Sequence, residues 1–286
     1  MSENRKSILI FGKNSYIGSN IIHFIKNERP SWNIIEIDSK NREWEKIDFS
    51  FFSVIIILAG IVHIKENKKN SEIYYKINKE LALSVALKAK KEGVSHCLFF
   101  STMNVYGLTR GYINGKTLLA PKTHYGRSKF QAENEIVKLE DDKFKVAVIR
   151  PPMVYGKNCP GNYEKLVNFI KKFRFFINCD NKRSGIYIKN LNRFVIGVIE
   201  KEFSGIVYPQ DKHYYSINDI LNGLENVSKF KIVRIPLLGI LVQKINFKFV
   251  SKVFGDLVYD FVLTDYTIPD YLMDKNEIQK DLYGGY

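Results

Sequence analysis

The chain's 286 residues are 45% hydrophobic and 26% charged, which is ordinary globular usage. It allows one large α/β domain, with or without a smaller lobe, and excludes disorder, collagen and coiled coil as overall descriptions. The formal charge is +14, but the basic residues are scattered singly or in pairs such as Lys68-Lys69 and Lys171-Lys172, so the expectation is a solvated surface and an anionic small ligand, with no nucleic-acid partner.

Ser7–Phe11 reads as a strand, followed by a glycine turn and an amphipathic helix near Ile17–Lys26. Trp32–Ile37 reads as a second strand and Lys46–Phe49 as a short third. Val54–Leu58 is continuously aliphatic, as a parallel strand buried on both faces should be. Glu72–Lys91, with Leu81, Val85 and Leu87 set among alanines, predicts one long helix. Cys97–Ser101 is a fifth strand, Tyr125–Lys138 a helix and Lys145–Ile149 a sixth strand. The β-α-β rhythm predicts an α/β fold with a doubly wound parallel sheet and its ligand at the carboxyl ends of the strands. After Pro151 the pattern loosens. Ile186–Ile199 reads as a strand and helix returning to the main sheet, and Ile235–Gly255 as amphipathic, Phe-rich lobe core. The expectation is a main sheet domain of residues 1–156 with about 186–200, and a smaller C-terminal lobe of 157–185 with 201–286 where a substrate would bind.

The longest nearly apolar run, Phe51–Val62, has twelve residues, against about 20 for a membrane span. The first residues, Met1–Ser7, are polar. The expectation is a cytoplasmic protein with no membrane segment and no secretory signal. Cys97, Cys159 and Cys179 are an odd set without a CxxC, which fits a reducing compartment and neither a disulfide frame nor a zinc site.

Gly12 and Gly18 bracket the turn after the first strand, where the amides of Tyr16, Ile17 and their neighbours at the helix start can hold a pyrophosphate. Ser15 stands where a G-x-x-G-x-x-G pattern has its middle glycine. Asp38 closes the second strand, where a carboxylate can accept from the adenosine ribose hydroxyls, which favours NAD. Lys13, Lys40 and Arg42 keep NADP open. Asp48-Phe49 borders the expected adenine position, and Leu58-Ala59-Gly60 offers small residues where a dinucleotide passes closely.

Tyr125 and Lys129 are spaced i, i+4 on a helix, so the phenol and the ammonium share one face. A tyrosine titrates near 10 in isolation, and a lysine cation beside it favours phenolate and a usable proton shuttle. The Ser101-Thr102 hydroxyls at the end of the fifth strand can meet a reacting carbonyl or alcohol oxygen. Cys159 has no base partner in sequence, and Tyr106 and Tyr155 lack a lysine at i+4, so these read as packing residues. His63 can face a sugar, although a polar loop histidine without a role is the simpler reading, and His124 borders the cleft.

These strings resemble the extended short-chain dehydrogenase/reductase superfamily, in particular its NAD-dependent epimerase/dehydratase family. The matching segments are Phe11 to Gly18, Leu58-Ala59-Gly60, Asn78, Ser101 to Gly107, Tyr125 to Lys129, Arg150 to Gly156 and Arg183 to Ile188. The resemblance implies a Rossmann-like fold and a catalytic trio of Thr102, Tyr125 and Lys129. It implies Asn78 and Pro152 beside the cofactor, Arg183 on a nucleotide-sugar diphosphate, and Asn162, with Met103 and Asn104, at the sugar. Family members often pair through two helices, which here would be those at Glu72–Lys91 and Tyr125–Lys138. A 4,6-dehydratase of this family carries Asp-Glu after the catalytic Thr, where this chain has Met103-Asn104. What remains is oxidoreduction at one carbon, C4 of a UDP-hexose. The resemblance to bacterial capsule and O-antigen enzymes leans toward reduction of a UDP-4-keto-6-deoxy-N-acetylhexosamine, with a UDP-glucose or UDP-N-acetylglucosamine 4-epimerase as the alternative. A non-catalytic dinucleotide-binding regulator is disfavoured because the Tyr/Lys pair is intact.

Overall fold

The computed structural model describes residues 5–38, 42–61, 71–227, 231–235, 253–264, 268 and 271–283. In chain order the first half contains β1 (Ser7–Phe11), α1 (Tyr16–Glu28), β2 (Asn33–Ile37), a 3-10 turn at Arg42–Lys46 and β3 (Val54–Ile57). It continues with α2 (Ser71–Tyr75), a π-helical turn at Lys76–Leu81, α3 (Ala82–Lys91) and β4 (His96–Phe100). A 3-10 turn at Met103–Tyr106, β5 (Gly111–Ile113), α4 (His124–Val137) and β6 (Lys145–Ile149) follow. The rest comprises β7 (Met153–Tyr155), α5 (Asn162–Phe173), β8 (Phe175–Ile177), β9 (Gly185–Tyr187), α6 (Ile188–Glu200) and β10 (Gly205–Val207). It ends with α7 (Ile217–Val227), β11 (Val233–Ile235), β12 (Leu257–Tyr259) and α8 (Lys275–Tyr283).

Six strands form one parallel sheet in the order β10-β6-β4-β3-β1-β2. Successive side chains of a strand point to opposite faces, and here both faces are dry. Ile8, Ile10, Val54, Ile56, Leu98 and Phe100 join a core with α1 and α6, while Leu9, Phe11, Ile55, Ile57, Cys97 and Phe99 join a second core with α3 and α4. That is why these strands are continuous aliphatic runs. Burying each such side chain contributes roughly 1.5–3 kcal/mol.

The sheet differs from the expectation in its membership. Lys46–Phe49 forms no strand. Trp44 packs edge-on to Phe11 at 5.4 Å, and Phe49 is buried beside it with its amide donating to the Glu92 carboxylate at 2.7 Å. The sixth strand is β10, on β6, from within the stretch assigned to the lobe. The strand at Ile186 does not return to the main sheet, since β9 pairs with β7 in a separate two-stranded ribbon, although the following helix α6 does pack on the sheet. The stretch expected as one helix over Glu72–Lys91 is interrupted by the π turn. Of the piece expected at Ile235–Gly255, residues 236–252 lie outside the described residues, as does His63.

The second half adds the ribbons β5·β12 and β8·β11 with α5, α7 and α8. A buried ion pair joins the layers: Arg150 at the end of β6 and Glu133 on α4 meet at 2.7 Å, both almost fully enclosed. No helix among the described residues is long and apolar enough to cross a membrane.

Gly107 ends the turn that follows Thr102. Its φ is +66°, and a Cβ there would lie 2.0 Å from the Ala120 carbonyl oxygen. Gly107→Ala is expected to lower stability by about 2 kcal/mol or more, from left-handed strain plus the backbone clash, read as a drop in the urea midpoint.

Candidate active site

The site lies at the carboxyl ends of β1, β3, β4 and β6. At β1 the chain turns at Gly12 (φ +133°), whose added Cβ would lie 3.0 Å from the Ala59 amide nitrogen. The amides of Gly12 and Lys13 both donate to the Ile37 carbonyl at 3.1 Å, which draws the end of β2, and with it Asp38, against the turn. Ser15 at the middle-glycine position makes an N-cap: its Oγ accepts from the Gly18 amide at 3.1 Å. The serine thus strengthens the helix start that a pyrophosphate would meet. Ile17 is half-buried against the core. Tyr16 reaches further, donating its phenol proton to the Lys157 carbonyl at 3.0 Å, so it joins the loop to the opposite lobe.

Around the expected adenine position the two neighbouring residues part company. Asp48 is exposed, its carboxylate accepting from the Ser50 amide at 2.9 Å, which holds it below the ordinary carboxylate range. Phe49 has no exposed side chain to offer a ligand, because the ring lies in the core beneath α3. Of the residues suggested for a 2′-phosphate, Lys40 lies outside the described residues, and Arg42 is 89% exposed and pairs with Glu45 at 3.6 Å.

Lys129 is the buried centre of the site. It is 2% exposed, donates to the Phe100 carbonyl at 2.8 Å and to the Ala59 carbonyl at 3.5 Å, and its ammonium lies 4.7 Å from the Phe99 ring centre. Gly60 stands beside it: an added Cβ would sit 3.2 Å from Lys129 Nζ and 3.3 Å from Asn78 Oδ1. Asn78 is placed by the π turn. Its Oδ1 accepts from the Ile61 amide at 2.7 Å and its Nδ2 donates to Ser128 Oγ at 3.1 Å, which ties the loop after β3 to the first turns of α4. A π turn inside a helix is a frequent mark of a functional position. Burial lowers the Lys129 ammonium to about 8, partly opposed by the Glu133 carboxylate one turn on. Tyr125, Lys129 and Glu133 follow at i, i+4 and i+8, so the spacing alone puts Glu133 on the same face.

Tyr125 is half-buried, and burial pushes its phenol up to about 12 while a hydrogen bond from the Thr102 hydroxyl acts to lower it. Burial thus outweighs the lowering expected at this phenol, while the Lys129 ammonium donates to the carbonyls of Phe100 and Ala59. Thr102 caps the 3-10 turn. Its Oγ1 accepts from the Asn104 amide at 3.2 Å and from Asn104 Nδ2 at 3.0 Å. A hydroxyl has two acceptor lone pairs and one proton. With both lone pairs taken by Asn104, the Thr102 proton points away as a donor to the phenol or to a substrate oxygen. Asn104 therefore positions Thr102, beyond the sugar contact expected of it. Met103, also expected at the sugar, is packed with Val105, Tyr106, Ile113 and Leu257, and its amide donates to the Pro151 carbonyl at 3.0 Å. That bond fixes Pro152, which is buried, next to the Thr102 turn.

Arg183, two residues before β9, donates to the Gly255 carbonyl at 2.8 Å, with its backbone paired to Tyr215. Asn162 opens α5, and its side chain lies outside the described residues. Cys159 is buried and pushed up to about 11 by that burial, as a packing thiol would be. Tyr106 and Tyr155 are hydrogen-bonded to Arg150 and Asp211. Two buried partners carry roles that the sequence did not assign, Glu133 and Arg150, the latter also donating to the Tyr106 and Tyr208 hydroxyls at 3.2 and 3.3 Å.

The residues present fit a dinucleotide. The capped helix start can accept a pyrophosphate, and Lys129 donates to carbonyls at the floor of the site. Ser101 Oγ, buried at the end of β4, has no hydrogen-bond partner among the described residues.

Two outcomes follow from this geometry. Asn104→Ala frees the Thr102 hydroxyl to rotate and should lower kcat about tenfold, the equivalent of about 1.4 kcal/mol for one lost hydrogen bond, with cofactor affinity unchanged in a binding titration. Lys129 is an ammonium below about pH 8 and neutral above it. Cofactor affinity should therefore fall as pH rises from 7 to 9 in the native protein and stay flat in Lys129→Met, measured by fluorescence titration.

The sequence profile of the NAD dependent epimerase/dehydratase family matches residues 8–208. The chain is 25% identical over 247 residues to a UDP-glucose 4-epimerase of Vibrio cholerae, covering 77% of this chain and 75% of that one. It is 24% identical over 274 residues to the N-acetyl-alpha-D-glucosaminyl-diphospho-ditrans,octacis-undecaprenol 4-epimerase of Escherichia coli O157:H7, covering 87% and 81%. Its fold superposes on the UDP-glucuronic acid 4-epimerase of Bacillus cereus, solved with NAD, with a TM-score of 0.73 at 16% identity over 97% of each chain. The glycine turn, the Thr102–Tyr125–Lys129 group and the profile over more than two thirds of the chain agree: this protein belongs to the NAD-dependent epimerase/dehydratase family, and its cofactor is NAD or NADP.

Proposed function

We propose that this chain is a 4-epimerase, inverting C4 of a hexose carried on a diphosphate. The observation that supports this reading most is the meeting of Thr102, Tyr125 and Lys129 at the ends of β3 and β4, without a carboxylate at Met103 or Asn104 to drive elimination. Both curated relatives bear 4-epimerase in their names, which weighs against the single reduction that the sequence motifs favoured. The two relatives differ in what the diphosphate is attached to, uridine or a polyprenol. UDP-hexose is the substrate we take first, in bacterial surface polysaccharide synthesis, with Arg183 on the diphosphate.

When bound, a dinucleotide would supply reversible hydride transfer at C4, and inversion follows when the ketone has turned over so that hydride returns to its opposite face. Tyr125 takes the O4 proton as the alcohol becomes a ketone and returns it on the way back. Thr102, its lone pairs held by Asn104, donates to O4 and keeps that oxygen in line. Lys129 keeps a positive charge at the floor of the site. In the protein alone burial disfavours the Tyr125 phenolate, so the phenol reacts only when further positive charge stands beside it. Asp38 accepts from ribose hydroxyls, which favours NAD over NADP. We further propose that two copies pair through the outer faces of α2, α3 and α4, where Ile73, Leu87 and Val137 are exposed.

The test offers UDP-glucose or UDP-N-acetylglucosamine without added cofactor, and separately a UDP-4-keto-6-deoxyhexosamine with NADH or NADPH. A C4 epimer from the first supports this reading. Stoichiometric loss of NAD(P)H with the second alone would replace it by the reductase. Tyr125→Phe should lower turnover at least about a hundredfold, with cofactor binding retained.

A further inference from the structure

We propose that the outer face of α5 and β8 docks the protein on an anionic phospholipid surface. α5 is two-sided. Tyr163, Val167 and Ile170 are buried in the main core, and the face that flanks them is open to solvent. That face carries Phe169 and Phe173, 44% and 47% exposed, with ring centres 4.6 Å apart. Arg174 then turns the chain through a left-handed conformation (φ 55°) into β8, which presents Phe175, 46% exposed and 6.1 Å from the Phe173 ring. In the β8·β11 ribbon Val233 stands opposite Phe175 and is 66% exposed. Four apolar side chains thus form one strip on three elements, α5, β8 and β11.

The strip has a basic border. Lys165, Lys172, Arg174 and Lys231 are exposed around it, and the Lys172 ammonium lies 5.5 Å from the Phe173 ring centre. Glu164, in the first turn of α5, is the acidic neighbour on that helix. The chain as a whole carries +14. Isolated exposed apolar residues are ordinary, but a contiguous aromatic strip ringed by cations marks an interaction surface. Its chemistry is that of an interfacial anchor. Phenylalanines enter the boundary between headgroups and acyl chains, while long lysines keep their charge at the phosphate plane. At such a surface the protein would meet sugar diphosphates carried on lipid. The docking face itself is independent of the C4 reading, because none of its residues belongs to the site.

The experiment is co-sedimentation of the full chain with vesicles of phosphatidylglycerol and phosphatidylethanolamine, and with vesicles of phosphatidylcholine alone. The first should pellet the protein, with binding that falls as salt rises, and the second should not. Phe169→Ser/Phe173→Ser/Phe175→Ser should weaken binding at least about tenfold, with NAD binding and melting temperature unchanged. Lys165→Gln/Lys172→Gln leaves the apolar strip intact and should remove much of the salt dependence, which keeps the proposal testable if the triple variant misfolds. Absence of pelleting by the native chain, or equal pelleting by the variants, overturns the proposal. So does light scattering that shows a native oligomer dissociated by the same phenylalanine changes, which would make a second copy the occupant.

Discussion

A single buried ammonium holds the site together. Lys129 is almost without solvent, and its charge is met by the backbone oxygens that end β3 and β4. Removing a charge from water is costly unless it is hydrogen-bonded, so α4 can occupy its place only if those two strand ends lie where they do. The same contact sets Tyr125 one turn earlier on α4, above the strand ends, and sets Thr102 just beyond β4 to meet it.

The support for that ammonium is layered. Glu133 lies one turn further along α4 and favours the charged lysine, but it is itself engaged by Arg150 in an enclosed pair. Arg150 is tied in turn to the hydroxyls of Tyr106 and Tyr208, and its carbonyl accepts from Tyr259. Such a pair contributes little net stability, yet breaking one partner is severe because the other is left buried and charged. Its place here is geometric: it fixes the end of β6, from which Pro151 holds the Thr102 turn through the Met103 amide. The lysine, the proton shuttle and the hydroxyl donor are therefore held by one connected set of polar contacts.

The glycine turn departs from its usual pattern and compensates locally. Ser15 gives up the freedom of a glycine and in exchange caps α1 through the Gly18 amide. Gly12 and Gly60 remain glycines where a side chain would meet the Ala59 amide, the Lys129 ammonium and the Asn78 amide oxygen. Tyr16, leaving the same turn, bonds across to Lys157 and connects the cofactor side to the lobe.

The sequence by itself determined the parallel strands, the glycine turn and the Tyr125/Lys129 pair, because each is a local pattern: strands buried on both faces must be aliphatic throughout, and residues four apart on a helix must share a face. It also carried the family. It did not determine which short runs become sheet strands. Lys46–Phe49 and Gly205–Val207 are similarly short, and only packing chose between them, Trp44 and Phe49 sinking into the core while β10 found the free edge of β6. Nor did it determine which way charges point. The i, i+4 spacing put Lys129 on the face of Tyr125, but the carbonyls of Phe100 and Ala59 that the ammonium donates to were brought in by strands far away in sequence. Spacing fixes what is adjacent on one element, whereas burial and the partners supplied by other elements fix what a buried group does.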